Sequence, residues 1–254
     1  MIRQILKYGK TYAAIEHAEK GAFNLLRLIK KNDEFVISKN IQTDRFEILL
    51  EELKGQKHLF LIINDAQILS KKVASIGNNE KVLVRKAFPS IVLTDFYYEV
   101  YQNTQHSFIC IARKDSIDKI INTYQQKGIS VIDFSLGNLA IQNLHPFVEN
   151  RTLFSSNAQI KFDANAICAI EKRSISNKNY NINDLKVTHT AILPLAGIIC
   201  YYTKNKASIL HTELEKHYFH RRFFDLGLQT GLSFFLGLLL INFILFSSYR
   251  NKVN

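Results

Sequence analysis

The feature that most constrains this chain is a run of residues without a charged side chain near its C-terminus. The run extends from Leu226 to Tyr249 and reads LGLQTGLSFFLGLLLINFILFSSY, which is 24 residues. As an α-helix it is about 36 Å long, enough to cross a hydrocarbon layer of about 30 Å with some tilt. The sequence therefore predicts a membrane-spanning helix over residues 226–249.

Basic residues on the two sides of this run predict its orientation. Lys216, Arg221 and Arg222 precede it, whereas only Arg250 and Lys252 follow it. Because segments on the cytoplasmic side of a span carry an excess of Lys and Arg, we expect the N-terminal part to be cytoplasmic. On this interpretation Lys216, Arg221 and Arg222 face the lipid headgroups.

The overall charge narrows the class of partner. The chain has 33 Lys and Arg against 22 Asp and Glu, a formal net charge of +11. An anionic membrane surface accounts for this balance without a further partner. The basic residues are spread along the chain without an aromatic-and-Arg motif, so we do not expect nucleic acid as a partner. Met1–Lys7 lacks the hydrophobic region of a signal peptide, which also favours a cytoplasmic N-terminal part.

Residues before the span have the pattern of a mixed α/β protein. Three short strands are predicted in succession, followed by a helix and then a strand that is apolar along its whole length. The predicted segments are 10–17, 22–30 and 33–39 for the strands, a helix capped by Thr43 or Asp44, and a buried strand over 58–63. The opening unit is therefore three strands, a helix and a buried strand.

A similar order follows about 70 residues later. The pattern predicts a helix over 79–88, paired strands over 95–101 and 106–112, a helix over 115–127 and a buried strand over 129–134. We also expect hairpins within 150–190, a loop over 174–184, and a buried helix over 191–202 that is too short to span a membrane. The order strand, strand, helix and strand thus occurs twice. Because the two segments have negligible sequence identity, any repeat is structural.

Catalytic motifs are scarce. The sequence has no P-loop, no G-x-G-x-x-G, no H-E-x-x-H, no C-x-x-C and no G-x-S-x-G. Asp65 and Asp133 come near the ends of buried strands, where α/β enzymes place catalytic groups, but such residues also end strands for reasons of solubility. His211, His217 and His220 form the one His cluster, and no nearby Cys or carboxylate completes a metal site. Cys110, Cys168 and Cys200 lie in apolar segments and are interpreted as reduced, buried thiols.

One stretch resembles a known family. Residues 111–144 read IARKDSIDKIINTYQQKGISVIDFSLGNLAIQNL, and the segments 59–72 and 88–99 precede them in the same order. This order resembles that of the actin-like cytoplasmic components of type IV pilus and type II secretion machines, over roughly residues 10–205. In that family a strand pair leads into a helix, a strand, and a further helix that here begins near Leu136.

The resemblance implies an actin-like (RNase H-like) two-subdomain α/β fold with mixed sheets, plus the C-terminal transmembrane helix. The soluble pilus M component binds ATP, whereas the secretion L component carries its own transmembrane helix, so this chain is more similar to the L component. The ATP-binding branch has an Asp-x-Gly phosphate turn, which we match to Ala13–Ala18, a segment without glycine. We therefore expect no cofactor and no catalytic or metal-binding residues.

The expected function is that of a non-catalytic scaffold in the inner membrane, part of a type II secretion or type IV pilus assembly platform. Its expected partners are a secretion or pilus ATPase, other single-span platform proteins and membrane lipid, with a second copy of the chain as a further candidate. The alternative is a membrane-anchored actin-like ATP-binding protein or kinase-like enzyme. The expected domains are an actin-like domain over 1–208, a juxtamembrane helix over 209–225, the span over 226–249 and a short tail over 250–254.

Overall fold

The computed structural model of the chain describes residues 8–32, 34–74, 77, 79–148, 151–163, 166–173, 177–203 and 212–253. The predictions for Met1–Lys7, for His211 and for the first residues of the 174–184 loop lie outside this described part. The chain forms two compact units, residues 1–214 and 215–254. The finer domain boundaries expected from the sequence stay predictions.

A five-stranded mixed sheet lies at the centre of the first unit. It contains β1 (Thr11–Ala18), β2 (Phe23–Lys31), β3 (Glu34–Thr43), β4 (His58–Asn64) and β8 (Ser130–Leu136), in the order β3-β2-β1-β4-β8. The first three strands are antiparallel, while β4 runs parallel to β1, and β8 parallel to β4. Helix α1 (Phe46–Glu52) connects β3 to β4, and every residue of β4 is buried, as its continuous apolar sequence predicts.

A three-stranded sheet is inserted between β4 and β8. It consists of β5 (Leu69–Val73), β6 (Phe96–Gln102) and β7 (Ser107–Arg113) in the order β5-β7-β6, with α2 (Glu80–Ala87) packed on it. Helix α3 (Lys114–Gln126) then leads into β8. The two strand–strand–helix–strand segments are therefore not repeats of one unit. In the second segment β8 pairs with β4 in the central sheet, whereas β6 and β7 pair with each other in a different sheet.

The remaining strands are short. β9 (Thr152–Phe154), β10 (Ala158–Asp163) and β11 (Ala166–Lys172) form an antiparallel sheet, and β12 (Asn179–Ile182) pairs with β13 (Leu185–Thr188). Helix α4 (Ile192–Thr203) then packs on the central sheet so closely that a Cβ at Gly197 would lie 2.7 Å from Cδ1 of Phe60. The short buried helix expected near 191–202 is confirmed.

The strand order confirms the predicted fold class. Three antiparallel strands are followed by two parallel strands, and their spatial order, β3-β2-β1-β4-β8, is that of an actin-like (RNase H-like) sheet. After β8, the described residues form two further sheets, the three-stranded sheet β9–β11 and the hairpin β12–β13. A long C-terminal helix, α5 (Thr212–Val253), completes the predicted architecture.

Three local predictions are wrong. Helix α1 begins after Arg45 without a side-chain cap, because the Thr43 hydroxyl, at the end of β3, accepts a bond from the Arg45 amide in a local turn. The helix expected near Leu136 is absent, since β8 continues through Leu136 and two 3₁₀ segments follow, at Leu139–Asn143 and His145–Phe147. Residues 179–182 of the expected loop form strand β12.

Candidate functional site

Helix α5 is the first candidate site. Its segment Glu213–Arg250 is long and apolar enough to cross a membrane, and none of its most apolar window is buried. Leu226 and Tyr249, the ends of the predicted span, are 42% and 70% exposed. The structure thus presents the predicted span as one continuous helix with its apolar side chains uncovered.

The three basic residues predicted to face headgroups all lie on the N-terminal part of α5. Lys216 and Arg221 are exposed, whereas Arg222 is half-buried and donates a hydrogen bond from its guanidinium to the Tyr218 hydroxyl at 2.9 Å. At about 100° per residue the three side chains point to three different sides of the helix. They form a basic collar around α5, and their contact with headgroups stays a prediction.

The second candidate site lies at the carboxyl ends of the parallel strands in the central sheet, where α/β proteins bind their ligands. Glu16 near the end of β1, Asn64 at the end of β4 and Asn138 just after β8 are all buried there. The Glu16 carboxylate accepts hydrogen bonds from the side-chain amides of Asn64 at 2.7 Å and of Asn24, its partner on β2, at 2.8 Å.

The turn between β9 and β10 reaches into this position. The Ser156 hydroxyl donates to the Glu16 carboxylate, and the side-chain oxygen of Asn157 accepts from the amides of Asn64 at 3.0 Å and Asn138 at 3.1 Å. Glu16, Asn64, Asn138, Ser156 and Asn157 are named the polar cluster below. Side chains of the chain itself therefore occupy the ends of the parallel strands.

Burial and hydrogen bonding act in opposite directions on the pKa of the cluster carboxyl, Glu16. Loss of solvation raises the pKa of Glu16, while the hydrogen bonds from Asn64, Ser156 and Asn24 act in the opposite direction. Glu16, Asn24 and Asn64 are buried and Ser156 is half-buried, and each has a hydrogen-bond partner in the cluster, which offsets the cost of removing polar groups from water. The arrangement ties the β9–β10 turn to the central sheet.

A cleft of about 220 Å³ borders the polar cluster on the side of the inserted sheet. Lys72 of β5 and Lys172 of β11 line it together with Asn64 and Asn138. The Lys72 ammonium donates to the carbonyl oxygen of Cys168 at 2.9 Å, and that of Lys172 lies 3.3 Å from a carboxylate oxygen of Glu19. The two lysines make this cleft a candidate site for an anionic ligand.

A second buried carboxyl joins the inserted sheet to the central sheet. One oxygen of Glu99, on β6, accepts hydrogen bonds from the Ser135 hydroxyl and from the Leu136 amide, both at 2.7 Å. Burial raises the pKa of Glu99 to about 7, although these two bonds lower it. Protonation of Glu99 is therefore coupled to the formation of this contact between the two sheets.

The residues that the sequence singled out have mostly local roles. The Asp65 carboxylate accepts from the Gln67 amide in a turn, and Asp133 lies inside β8, where it accepts from the Phe134 amide. Asp133 is thus not at a strand end, because β8 extends further than predicted. His217 and His220 are exposed on α5, and the described residues contain no group of three metal-ligating side chains.

The predictions for the phosphate turn and the cysteines need corrections. Ala13–Ala18 is strand β1 itself, and the turn that follows, Glu19–Gly21, contains a glycine with a φ of +74°. The turn that follows β1 therefore does contain a glycine, so the expectation based on a segment without glycine does not apply to this turn. Cys110 and Cys200 are buried as expected, and burial raises the pKa of Cys110 to about 12, but Cys168 is only half-buried.

Sequence reasoning missed the polar cluster and Glu99. One signal was available: Glu16 is the one acidic residue of the largely apolar strand TYAAIEHA, and Asn64 ends the apolar run of β4. The contribution of Ser156 and Asn157 had no signal, because their segment lies far away in the sequence and only folding brings it to Glu16.

The chain has no match by sequence but is similar in fold to solved structures. No family model and no curated protein matches the sequence. Among solved structures, the chain is similar to the cytoplasmic domain of EpsL, an inner-membrane component of the type II secretion system of Vibrio cholerae, with 8% identity, 65% of this chain and 71% of that chain covered, and a TM-score of 0.45.

Two other solved structures are similar. The PilM–PilN type IV pilus biogenesis complex has 10% identity, with 64% of this chain and 62% of that chain covered and a TM-score of 0.46. A Bacteroides thetaiotaomicron protein with an actin-like ATPase fold and unknown function has 8% identity, 66% and 72% coverage, and a TM-score of 0.40.

The class of this chain rests on its own strand order and on helix α5. Those features define a mixed α/β protein of the actin-like fold class with a candidate transmembrane helix.

Proposed function

We propose that the chain is a non-catalytic scaffold held in the inner membrane by helix α5, within a type II secretion or type IV pilus assembly platform. The actin-like unit would lie in the cytoplasm and contact a secretion or pilus ATPase, while α5 would lie beside other single-span platform proteins. The platform context comes from the family resemblance of residues 10–205, and the membrane location from α5.

The exposed apolar surface of α5 carries the proposal. Soluble proteins rarely leave continuous apolar patches larger than a few hundred Å² in water. Here Phe234, Phe243 and Phe246 are 65–71% exposed on one helix without a charged residue from Leu226 to Tyr249. A bilayer removes this surface from water and leaves the backbone hydrogen bonds of the helix intact.

A tethering mechanism suits such a chain. Confinement to a membrane raises the effective concentration of partners, so weak contacts can act together without catalysis. The basic collar of Lys216, Arg221 and Arg222 adds about 1 kcal/mol per residue close to anionic headgroups. The polar cluster supports a structural role for the strand ends, because its side chains bond to one another.

Membrane extraction tests the anchor. We expect the full chain to stay in the membrane fraction through alkaline carbonate treatment. Leu239→Arg places a charge near the middle of the span, at a cost of about 2.5–3.5 kcal/mol, and should shift chain into the soluble or aggregated fraction. Val92→Arg, at a position 63% exposed in the first unit, is the matched control and should fractionate as wild type. Equal fractionation of the two variants would contradict the anchor.

Orientation and partner are tested separately. Protease added outside spheroplasts should leave residues 1–225 intact, and their degradation would place the unit on the wrong side of the membrane. Affinity purification of the solubilised chain from its own cells should recover a secretion or pilus ATPase. Recovery of lipid alone would contradict the scaffold.

The ATP-binding alternative is distinguished by ligand-dependent stability. A ligand that binds the native state at a hundred times its Kd stabilises it by about 2.7 kcal/mol. We expect Mg-ATP to leave the melting temperature of the chain unchanged. An increase that Lys72→Ala and Lys172→Ala abolish would favour an ATP-binding protein and place the nucleotide in the cleft that these residues line.

A further inference from the structure

Asn242 is the polar side chain that the membrane location leaves least well accommodated. If residues 226–249 span the bilayer, Asn242 lies about 7 Å from the middle of the span at ~1.5 Å per residue, inside a hydrocarbon layer of about 30 Å. Gln229 lies about 13 Å from the middle, close to the interface. The Thr230 hydroxyl donates to the Leu226 carbonyl of its own helix, whereas the Asn242 side chain is exposed and has no hydrogen bond among the residues that the structure describes.

An unsatisfied amide in hydrocarbon is costly because no water replaces its hydrogen bonds. Side-chain amides at such depths normally bond across to another helix. The Asn242 side chain therefore indicates which side of α5 is covered in the membrane.

The residues around Asn242 form a regular helix face. At about 100° per residue, side chains spaced alternately four and three apart lie on one side of the helix, as in the seam of a coiled coil. Around Asn242 this spacing selects Gly231, Phe235, Leu238, Asn242, Leu245 and Tyr249. Gly231 lies on this face, and a glycine there lets a second helix backbone approach closely.

We infer that this face pairs with the same face of a second copy of the chain, and that the two Asn242 amides bond to each other. The inference rests on the proposed membrane location. All copies insert with one orientation, so two copies lie parallel and a two-fold axis places identical residues at the same depth. An amide carries both donors and an acceptor, so Asn242 is complementary to itself and needs no different partner.

Energy transfer between labelled copies of the full chain in vesicles tests the pairing, with dilution into excess lipid to measure affinity. Asn242→Leu keeps the helix apolar and removes the amide, and should weaken the dimer about five- to thirtyfold. Ser233→Leu is the matched control, because Ser233 lies on the opposite side of the helix, and should leave the affinity unchanged. Asn242→Gln retains an amide and should keep most of the affinity.

Membrane extraction of the same variants separates the two proposals. Asn242→Leu should stay in the membrane fraction while it loses the dimer. If wild type fails to stay in the membrane, the anchor is wrong. If wild type stays there but is monomeric, or if Asn242→Leu dimerises as strongly as Ser233→Leu, the pairing through Asn242 is wrong and a different helix or lipid covers this face.

Discussion

Helix α4 and the apolar part of helix α5 contain the same types of side chain, but only those of α4 are buried. In α4, Leu193, Leu195 and Ile198 are fully buried, and Gly197 touches the central sheet. In α5, the large apolar residues of the span are 42–71% exposed, and a Cβ at Gly231 would meet nothing. Composition alone therefore does not decide where an apolar helix resides.

The difference lies in length and surroundings. The 12 residues of α4 extend about 18 Å, which the central sheet can cover, whereas the uncharged run of α5 extends about 36 Å. None of the most apolar window of α5 is buried by the residues that the structure describes. Stability of the first unit should thus depend on α4 and be independent of the span, and three predictions test this contrast.

The largest effect is expected from a cavity in α4. Leu193→Ala should lower the free energy of unfolding of the first unit by about 2–5 kcal/mol, because the lost contacts leave a void beside the sheet. Leu239→Ala in the span should leave that free energy unchanged within about 0.5 kcal/mol. Chemical denaturation of the full chain in detergent, followed by near-ultraviolet circular dichroism, measures both. A loss of similar size in both variants would contradict the separation of the two helices.

A second effect concerns the buried carboxyl group of Glu99 in the first unit. The pKa of Glu99 is about 7 in the folded protein against 4.5 for an ordinary Glu, so the folded state binds the proton more tightly. Its contribution to stability is complete below pH 4.5 and is lost as the pH rises to about 7, roughly 3 kcal/mol in total.

Glu99→Gln should remove this part of the pH dependence, which is measured by denaturation at several pH values between 4.5 and 7.5. Glu16 has the same sign, since its pKa is also raised, and it remains in the variant. Glu51→Gln, at an exposed position of α1, is the control and should keep the wild-type profile. A Glu99→Gln profile as steep as wild type would show that Glu99 titrates normally.

The smallest effect is expected from a single methyl group. Gly197→Ala should destabilise the first unit by about 1–2 kcal/mol, because the clash with Phe60 exceeds the gain in helix propensity. Gly231→Ala, which meets open space, should change the unfolding of that unit by less than about 0.5 kcal/mol. Thermal unfolding resolves the two, and a stabilised Gly197→Ala variant would mean that α4 can move away from the sheet.

Local patterns predicted most elements of the first unit. Strands β1, β2 and β4, helix α3 and the buried helix α4 occur close to where the periodicity placed them, because each has a clear apolar face or an apolar run. Boundaries failed where tertiary contacts extend an element. Strand β8 continues to Leu136 because it pairs with β4 and because the Leu136 amide donates to Glu99, which lies on a different sheet.

The two candidate sites also differ in how far the sequence predicts them. The sequence by itself determined the candidate span of α5, since length and absence of charge need no knowledge of the rest of the chain. Only the tertiary structure decided that Glu16, Asn64, Asn138, Ser156 and Asn157 form one cluster, and that β6–β7 and β8 belong to different sheets. The physical reason is that a bilayer recognises a property summed along one segment, whereas a buried hydrogen-bonded cluster requires particular atoms from distant segments to meet within about 3 Å.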